Sequence, residues 1–283
     1  MDRKYGIVRC SNPQPPQARQ QIDQVCDALS VDGTGVTRGQ YIFTEDDMFT
    51  PGWVRAEELM KLYRDPCITD IFDVSGGDMA NDVLDYLDYD VIAASKATFW
   101  GYSDLTTVIN AIYAKTGRCS HLYQVRNLVR DTSGKRLEEF ENWRKNDDDM
   151  LFRFEYEFLR GDSAEGIVIG GNIRCLLKLA GTEYFPDSEG KILFLEALNG
   201  ELPQMAAYFG QLRQLGIFRK VQAVVLGTFS KMEEIDAEPT VEQIALQYIP
   251  EAIPVIKTAQ VGHDVASKAV MIGKQYTFEA KRF

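Results

Sequence analysis

Short apolar, β-branched runs alternate with amphipathic stretches through the first half of the chain. Tyr5 to Val8 predicts a strand and Pro16 to Leu29 an amphipathic helix. Glu57 to Tyr63 predicts a helix, Ile68 to Val74 a strand, and Asn81 to Leu87 a helix. Val91 to Ala94 and Thr98 to Tyr102 predict short strands, and Leu105 to Lys115 predicts a helix closed by Gly117. Strands separated by helical crossovers argue for a parallel sheet of the α/β kind, whose functional residues gather at the carboxyl ends of the strands. The pattern changes between Asp131 and Asp149, which is charged, weakly periodic and ends in Asn146-Asp147-Asp148-Asp149. An exposed connection and a domain boundary are expected there, with Trp143 either covering a local apolar contact or touching a ligand. After the aromatic run Phe152 to Phe158, the second half is rich in glycine and short strands: Gly166 to Gly170, Lys191 to Leu195, Val221 to Val225 and Val270 to Ile272. One helix, Pro203 to Leu215, interrupts them and meets Gly216, a residue suited to a helix C-terminus.

Composition narrows the function classes. The chain has 283 residues, 45% of them hydrophobic and 26% charged, enough to bury a substantial core. Its net charge of -11 repels phosphate backbones, so nucleic acid is not an expected partner. No apolar run is long enough to span a bilayer, and the start Met-Asp-Arg-Lys-Tyr-Gly-Ile-Val lacks the apolar stretch of a signal peptide. The five cysteines are scattered, with no CxxC pair, as in reduced thiols. A cytoplasmic protein without membrane attachment is expected.

Several common sites are missing. There is no GxxxxGK[ST] phosphate loop, Gly33, Gly35 and Gly39 miss the GxGxxG spacing, and two histidines with dispersed cysteines match no zinc spacing. If an imidazole acts as general base near neutral pH, it is His121 or His263. His263 follows Gly262 just past the Pro254 to Thr258 strand, where a loop side chain can reach a cleft or simply face solvent. Ser103, in Trp100-Gly101-Tyr102-Ser103-Asp104-Leu105-Thr106, stands where a strand turns into a helix. That turn exposes a nucleophile beside the helix's first amides; Ser-Asp before a helix is equally a common N-cap. Gly76-Gly77, after the Ile68 to Val74 strand, can present N–H groups to an oxyanion or serve a turn that needs positive φ. Glu196 closes the apolar run Ile192-Leu193-Phe194-Leu195, where a carboxylate can orient an imidazole or end a strand in solvent.

These segments together resemble the LD-carboxypeptidase family of serine peptidases, which includes murein tetrapeptide carboxypeptidases and microcin C self-immunity peptidases. The resemblance runs over nearly the whole chain, from Gly6-Ile7-Val8 through Gly76-Gly77 and Gly101-Tyr102-Ser103-Asp104 to Gly170-Gly171-Asn172, Gly181-Thr182, Gly190-Lys191-Ile192-Leu193-Phe194-Leu195-Glu196 and Gly262-His263. It implies Ser103 as nucleophile, Glu196 as the acidic member and His263 as base, with the backbone amides of Gly77 and Asp104 as oxyanion donors. Where family members often carry an aromatic residue and a glycine after the Gly-Gly pair, this chain has Asp78-Met79; where many carry His-Gly-Pro, it has His121-Leu122-Tyr123. Both segments are expected to line the cleft.

The implied fold is α/β: an N-terminal parallel-sheet, Rossmann-like domain of the class I glutamine amidotransferase kind, and a smaller C-terminal β-rich swivelling domain. The expected division is 1–145 for the nucleophile-bearing domain, 146–164 for the connection and 165–283 for the domain carrying Glu196 and His263. The resemblance implies hydrolysis of an amide near the C-terminus of a small peptide, the L,D-bond of a murein tetrapeptide or a peptidyl- or aminoacyl-adenylate-like amide, by a homodimer needing no cofactor or metal. A non-catalytic α/β protein that only binds a small ligand is the reading of another class; it has no need of the Ser, Glu and His set.

Overall fold

The computed structural model describes residues 4–43, 49–146 and 148–280. Met1–Arg3 of the opening segment and Asp147 of the acidic run lie outside the described residues. Twelve strands are assigned among them: β1 (Lys4–Val8), β2 (Gly35–Arg38), β3 (Ile68–Asp73), β4 (Thr98–Gly101), β5 (Ser120–Leu122), β6 (Glu157–Arg160), β7 (Ser163–Asn172), β8 (Ile192–Ala197), β9 (Ala223–Phe229), β10 (Val255–Lys257), β11 (Val270–Ile272) and β12 (Gln275–Glu279). They form two six-stranded sheets, in the orders β11-β5-β4-β3-β1-β2 and β12-β7-β8-β9-β10-β6. In the first, β2, β1, β3, β4 and β5 are mutually parallel, and only β11 runs antiparallel, against β5. In the second, β7, β8, β9 and β10 are parallel, with antiparallel β12 and β6 at the two edges. The fold is α/β, with parallel-dominated sheets.

The central strands are mostly apolar and almost wholly buried, because other elements pack over both of their faces. Every residue of β8 is buried, and so are Ile71, Phe72 and Asp73 of β3. One apolar cluster joins the sheets, with Leu122 and Val108 of the first half packed with Val168, Phe194 and Val225 of the second. Polar bonds pin the same junction. Asn110, on the helix Thr106–Thr116, donates to the Gly170 carbonyl at 2.8 Å and accepts the Gly170 N–H at 2.9 Å. The Asn172 N–H donates to Thr106 Oγ1 at 3.0 Å. Gly171 stands at φ +137°, and a Cβ there would lie 2.6 Å from Thr106 Oγ1, so the close approach requires glycine.

Most expected elements fall within a few residues of the observed ones, and two differ in kind. Val91 to Ala94, expected as a strand, belongs to the helix Tyr89–Ala94, because Asp88 Oδ1 accepts the Val91 N–H at 3.1 Å and caps a helical turn. The charged stretch expected as an exposed connection contains the helix Lys135–Asn146, which buries Arg136, Glu139 and Phe140. Its few apolar residues suffice because Phe140 and Trp143 pack, 5.8 and 5.0 Å between centroids, on the buried ring of Trp100. Trp143 therefore belongs to an aromatic core cluster. β11, although late in the chain, extends the first sheet.

Candidate active site

The sequence turns abruptly at Ser103. β4 ends at Gly101, and Ser103 itself adopts φ +57° before the helix Thr106–Thr116 begins. A left-handed conformation at a residue with a Cβ costs on the order of 1–2 kcal/mol, and it persists because both flanks are anchored. Tyr102 is buried, Asp104 is fully buried, and the Leu105 N–H donates to the Tyr102 carbonyl at 3.1 Å. The Ser103 side chain makes no capping bond, so the N-cap alternative does not describe it.

Glu196 and His263 are brought together from two strand ends. β8 carries Glu196 into the interior, wholly buried, where Oε1 accepts from Asn172 Nδ2 at 3.0 Å and Oε2 lies 2.7 Å from His263 Nδ1. Asn172 is the register partner of Glu196 across β7 and β8. A carboxylate has only acceptors, so this contact selects the tautomer with the proton on Nδ1 and leaves Nε2 as the basic nitrogen. The loop bearing His263 is tied down by the Thr228 N–H on the Val261 carbonyl at 2.9 Å and the Gly262 N–H on Ser267 Oγ at 3.0 Å. A Cβ on Gly262 would lie 1.6 Å from Thr228 Oγ1, so this approach needs glycine.

The His263 ring packs edge-on against Tyr102, 4.9 Å between centroids, one residue before Ser103. Burial, with the nearby Glu196 charge, raises the Tyr102 phenol well above its usual range. His263 Nε2 is buried and has no hydrogen-bond partner among the described residues, Ser103 Oγ included. The structure thus joins Glu196 to His263 directly, and His263 to the Ser103 turn only through the neighbouring ring.

The turn after β3 faces the same region. Asp73 accepts the Cys10 and Ser75 N–H groups, each at 2.7 Å, and burial raises its carboxyl above the ordinary range. Gly77 adopts φ +127°, and a Cβ there would fall 2.2 Å from Asn12 Cγ. The Asn12 N–H donates to the Gly76 carbonyl at 3.2 Å. Because a trans peptide directs its N–H opposite to its carbonyl, the Gly77 N–H points away from Asn12. The Asp104 carboxylate accepts from Ser11 Oγ at 2.6 Å, the Ala80 N–H at 2.8 Å and Lys178 Nζ at 2.5 Å. Asn172, Tyr102 and Lys178 carry no role on sequence grounds; the first two stand within Gly170-Gly171-Asn172 and Gly101-Tyr102-Ser103-Asp104 of the resemblance, and nothing in the sequence marks Lys178.

His121 departs from expectation. It pairs with Met271 in β5 and β11, and its ring packs 4.0 Å from Trp100 and 5.0 Å from Phe152, in the core. Burial, helped by Lys274, lowers its imidazole to about 3. Among the described residues no three His, Cys, Asp or Glu side chains gather as a metal site, and no helix is long and apolar enough to cross a membrane.

A strained serine turn, a buried Glu–His pair and a glycine turn at the ends of parallel strands define a hydrolase-like site on a two-sheet α/β fold. The chain belongs to the LD-carboxypeptidase family: the model of that family's N-terminal domain matches residues 6–124 and that of its C-terminal domain residues 165–278. It is 29% identical over 256 residues to the microcin C7 self-immunity protein MccF of Escherichia coli, 78% of this chain and 74% of that one. It is 26% identical over 289 residues to a probable murein peptide carboxypeptidase of Bacillus subtilis (strain 168), 95% and 86% of the two chains. A solved structure of MccF in complex with aspartyl sulfamoyl adenosine shares the fold with TM-score 0.82 at 23% identity, over 99% of this chain and 93% of that one.

Proposed function

We propose that the chain is a serine-type carboxypeptidase in which Ser103, His263 and Glu196 act as a triad on the L,D-amide of a murein tetrapeptide. The observation that carries this reading is the buried Glu196–His263 pair, 2.7 Å from Oε2 to Nδ1, beside the strained Ser103 turn. His263 Nε2 takes the Ser103 proton as Oγ bonds to the carbonyl carbon, and the carbonyl electron pair moves to oxygen. The Gly77 and Asp104 N–H groups receive that oxyanion; the outward aim of the Gly77 N–H supports its part. Collapse breaks the C–N bond, the amine leaves with the proton held on His263, and water then hydrolyses the acyl-serine by the same relay. The reaction requires a closure that brings Ser103 Oγ to Nε2, as substrate binding often supplies.

A second reading has support from the 29% identity to MccF: the amide cut is of the peptidyl- or aminoacyl-adenylate type. The finer organisation belongs to the same proposal. Domains 1–145 and 165–283, joined by 146–164, flank the cleft, a reading supported by the two family models, with β6 of the connection edging the second sheet and β11 returning to the first. The enzyme works as a homodimer in the cytoplasm, and five free thiols support the compartment.

Incubating the protein with a murein tetrapeptide and with an aminoacyl-adenylate analogue, and weighing the products, tests both readings. Release of the terminal D-residue by the parent but not by Ser103→Ala is expected. Unreduced turnover by a folded Ser103→Ala variant overturns the triad, whichever substrate is cut.

A further inference from the structure

The turn Gly76–Ala80 is held from two sides. From the first sheet's side, Asn12 Oδ1 accepts the Asp78 N–H at 3.0 Å and Ser11 Oγ accepts the Met79 N–H at 3.3 Å. From the other side come two cations of the second half, spaced one helical turn apart. Arg174 Nη2 donates to the Gly77 carbonyl at 2.9 Å while its Nη1 pairs with the Asp78 carboxylate. Lys178 Nζ donates to the Asp78 carbonyl at 2.8 Å as well as to Asp104. Both cations belong to the segment that opens at Asn172, whose Oδ1 caps the helix Ile173–Leu177 by accepting the Cys175 N–H at 3.3 Å. The other end of that amide holds Glu196. One short segment therefore grips the acid of the triad with its first residue and the glycine turn with its third and seventh.

We propose that Arg174 is a positioning residue for acyl transfer: by holding the Gly77 carbonyl, as the Asn12 N–H holds the Gly76 carbonyl, it fixes the peptides on both sides of Gly77 and so keeps the Gly77 N–H aimed at the oxyanion, with Asp78 as its anchor. The inference rests on the reading that Gly77 donates to an oxyanion. It also explains the departure at Asp78-Met79, where family members often carry an aromatic residue and a glycine: the turn here is clamped by a side chain across the cleft. The Arg174 and Asp78 side chains are 43% and 67% exposed, so the ion pair contributes little to folding and its effect is on geometry. Misaimed donors act on the transition state more than on bound substrate.

The test compares Arg174→Met, Arg174→Lys and Lys115→Met with the parent, in steady-state hydrolysis of whichever of the two substrates the parent cuts. Lys115 pairs with Glu183 at 2.6 Å and so also links the two halves, without touching the glycine turn. Arg174→Met is expected to lower kcat about tenfold with KM within about twofold, a fraction of the loss that follows removal of a whole oxyanion donor. Arg174→Lys should recover most of that loss, since an ammonium can still donate to the Gly77 carbonyl. Lys115→Met should keep the parent kcat. An Arg174→Met variant with parent kcat, a loss carried by KM alone, or an equal fall in Lys115→Met each overturns the inference while leaving the triad standing. A parent that cuts neither substrate overturns the reading beneath it, and the inference with it.

Discussion

At residue scale, chemistry is concentrated where the backbone is least relaxed. Ser103 is one of two non-glycine residues with positive φ among the described residues. Glycine would adopt that conformation freely, so the serine is kept against local preference. Ser103→Gly is expected to be more stable than Ser103→Ala by about 1 kcal/mol while equally inactive, measured by urea unfolding of the two variants side by side. Equal midpoints would mean that the turn carries no strain. The serine and its partners were legible in the chain as a set of ordered matches, but the φ at Ser103 was not. An N-cap and a nucleophile elbow share the residues Ser-Asp, and only the extent to which Tyr102 and Asp104 are locked inside the protein separates them.

At the scale of elements, the site depends on loops that cross within van der Waals distance. The Gly262 loop passes over the end of β9 so closely that a methyl group there would meet Thr228. Gly262→Ala should therefore cost about 1–3 kcal/mol of stability and most of the activity, because the strain must move His263 or the strand end. Adding Thr228→Ala to that variant should restore part of both, as neighbouring sites that share one clash are not additive. Unfolding midpoints and kcat of the two single variants and the double variant make the comparison; strictly additive losses would rule the clash out. Glycine beside His263 was readable as a motif, and its cause was not, since Thr228 is 34 positions away. The helix Lys135–Asn146 was hidden for the complementary reason. Its charged surface dominates the pattern, while Phe140 and Trp143, its anchors, matter only once Trp100 lies beneath them.

For the whole molecule, the two halves are not separate bodies in sequence order. β11 returns to the first sheet beside β5, and His121 sits at that join, buried among aromatic rings. Its imidazole titrates at about 3 in the fold, below the ordinary value of 6.5. The unfolded chain therefore binds the extra proton first, and stability that is complete above about pH 6.5 is lost as the pH falls toward 3. Between pH 7.5 and 5 the loss is about 1–2 kcal/mol, and His121→Phe should flatten it, as read by urea unfolding at the two pH values. An unchanged slope in the variant would show that other groups set the pH response.

The linear order of residues was sufficient for much of this. Alternating apolar runs and amphipathic stretches specify parallel sheets crossed by helices, since each element must hide a recognisable face. A dispersed set of Ser, Glu, His and paired glycines marks acyl-transfer chemistry, because few other uses need all of them. What tertiary structure alone decided are the relations across the junction: Asn172 on Glu196, Tyr102 against His263, Arg174 on the glycine turn, and His121 turned into the core. These are contacts between residues far apart in the chain, formed as the strands and helices of the two halves pack together. Their energies depend on burial and distance, which no local pattern encodes.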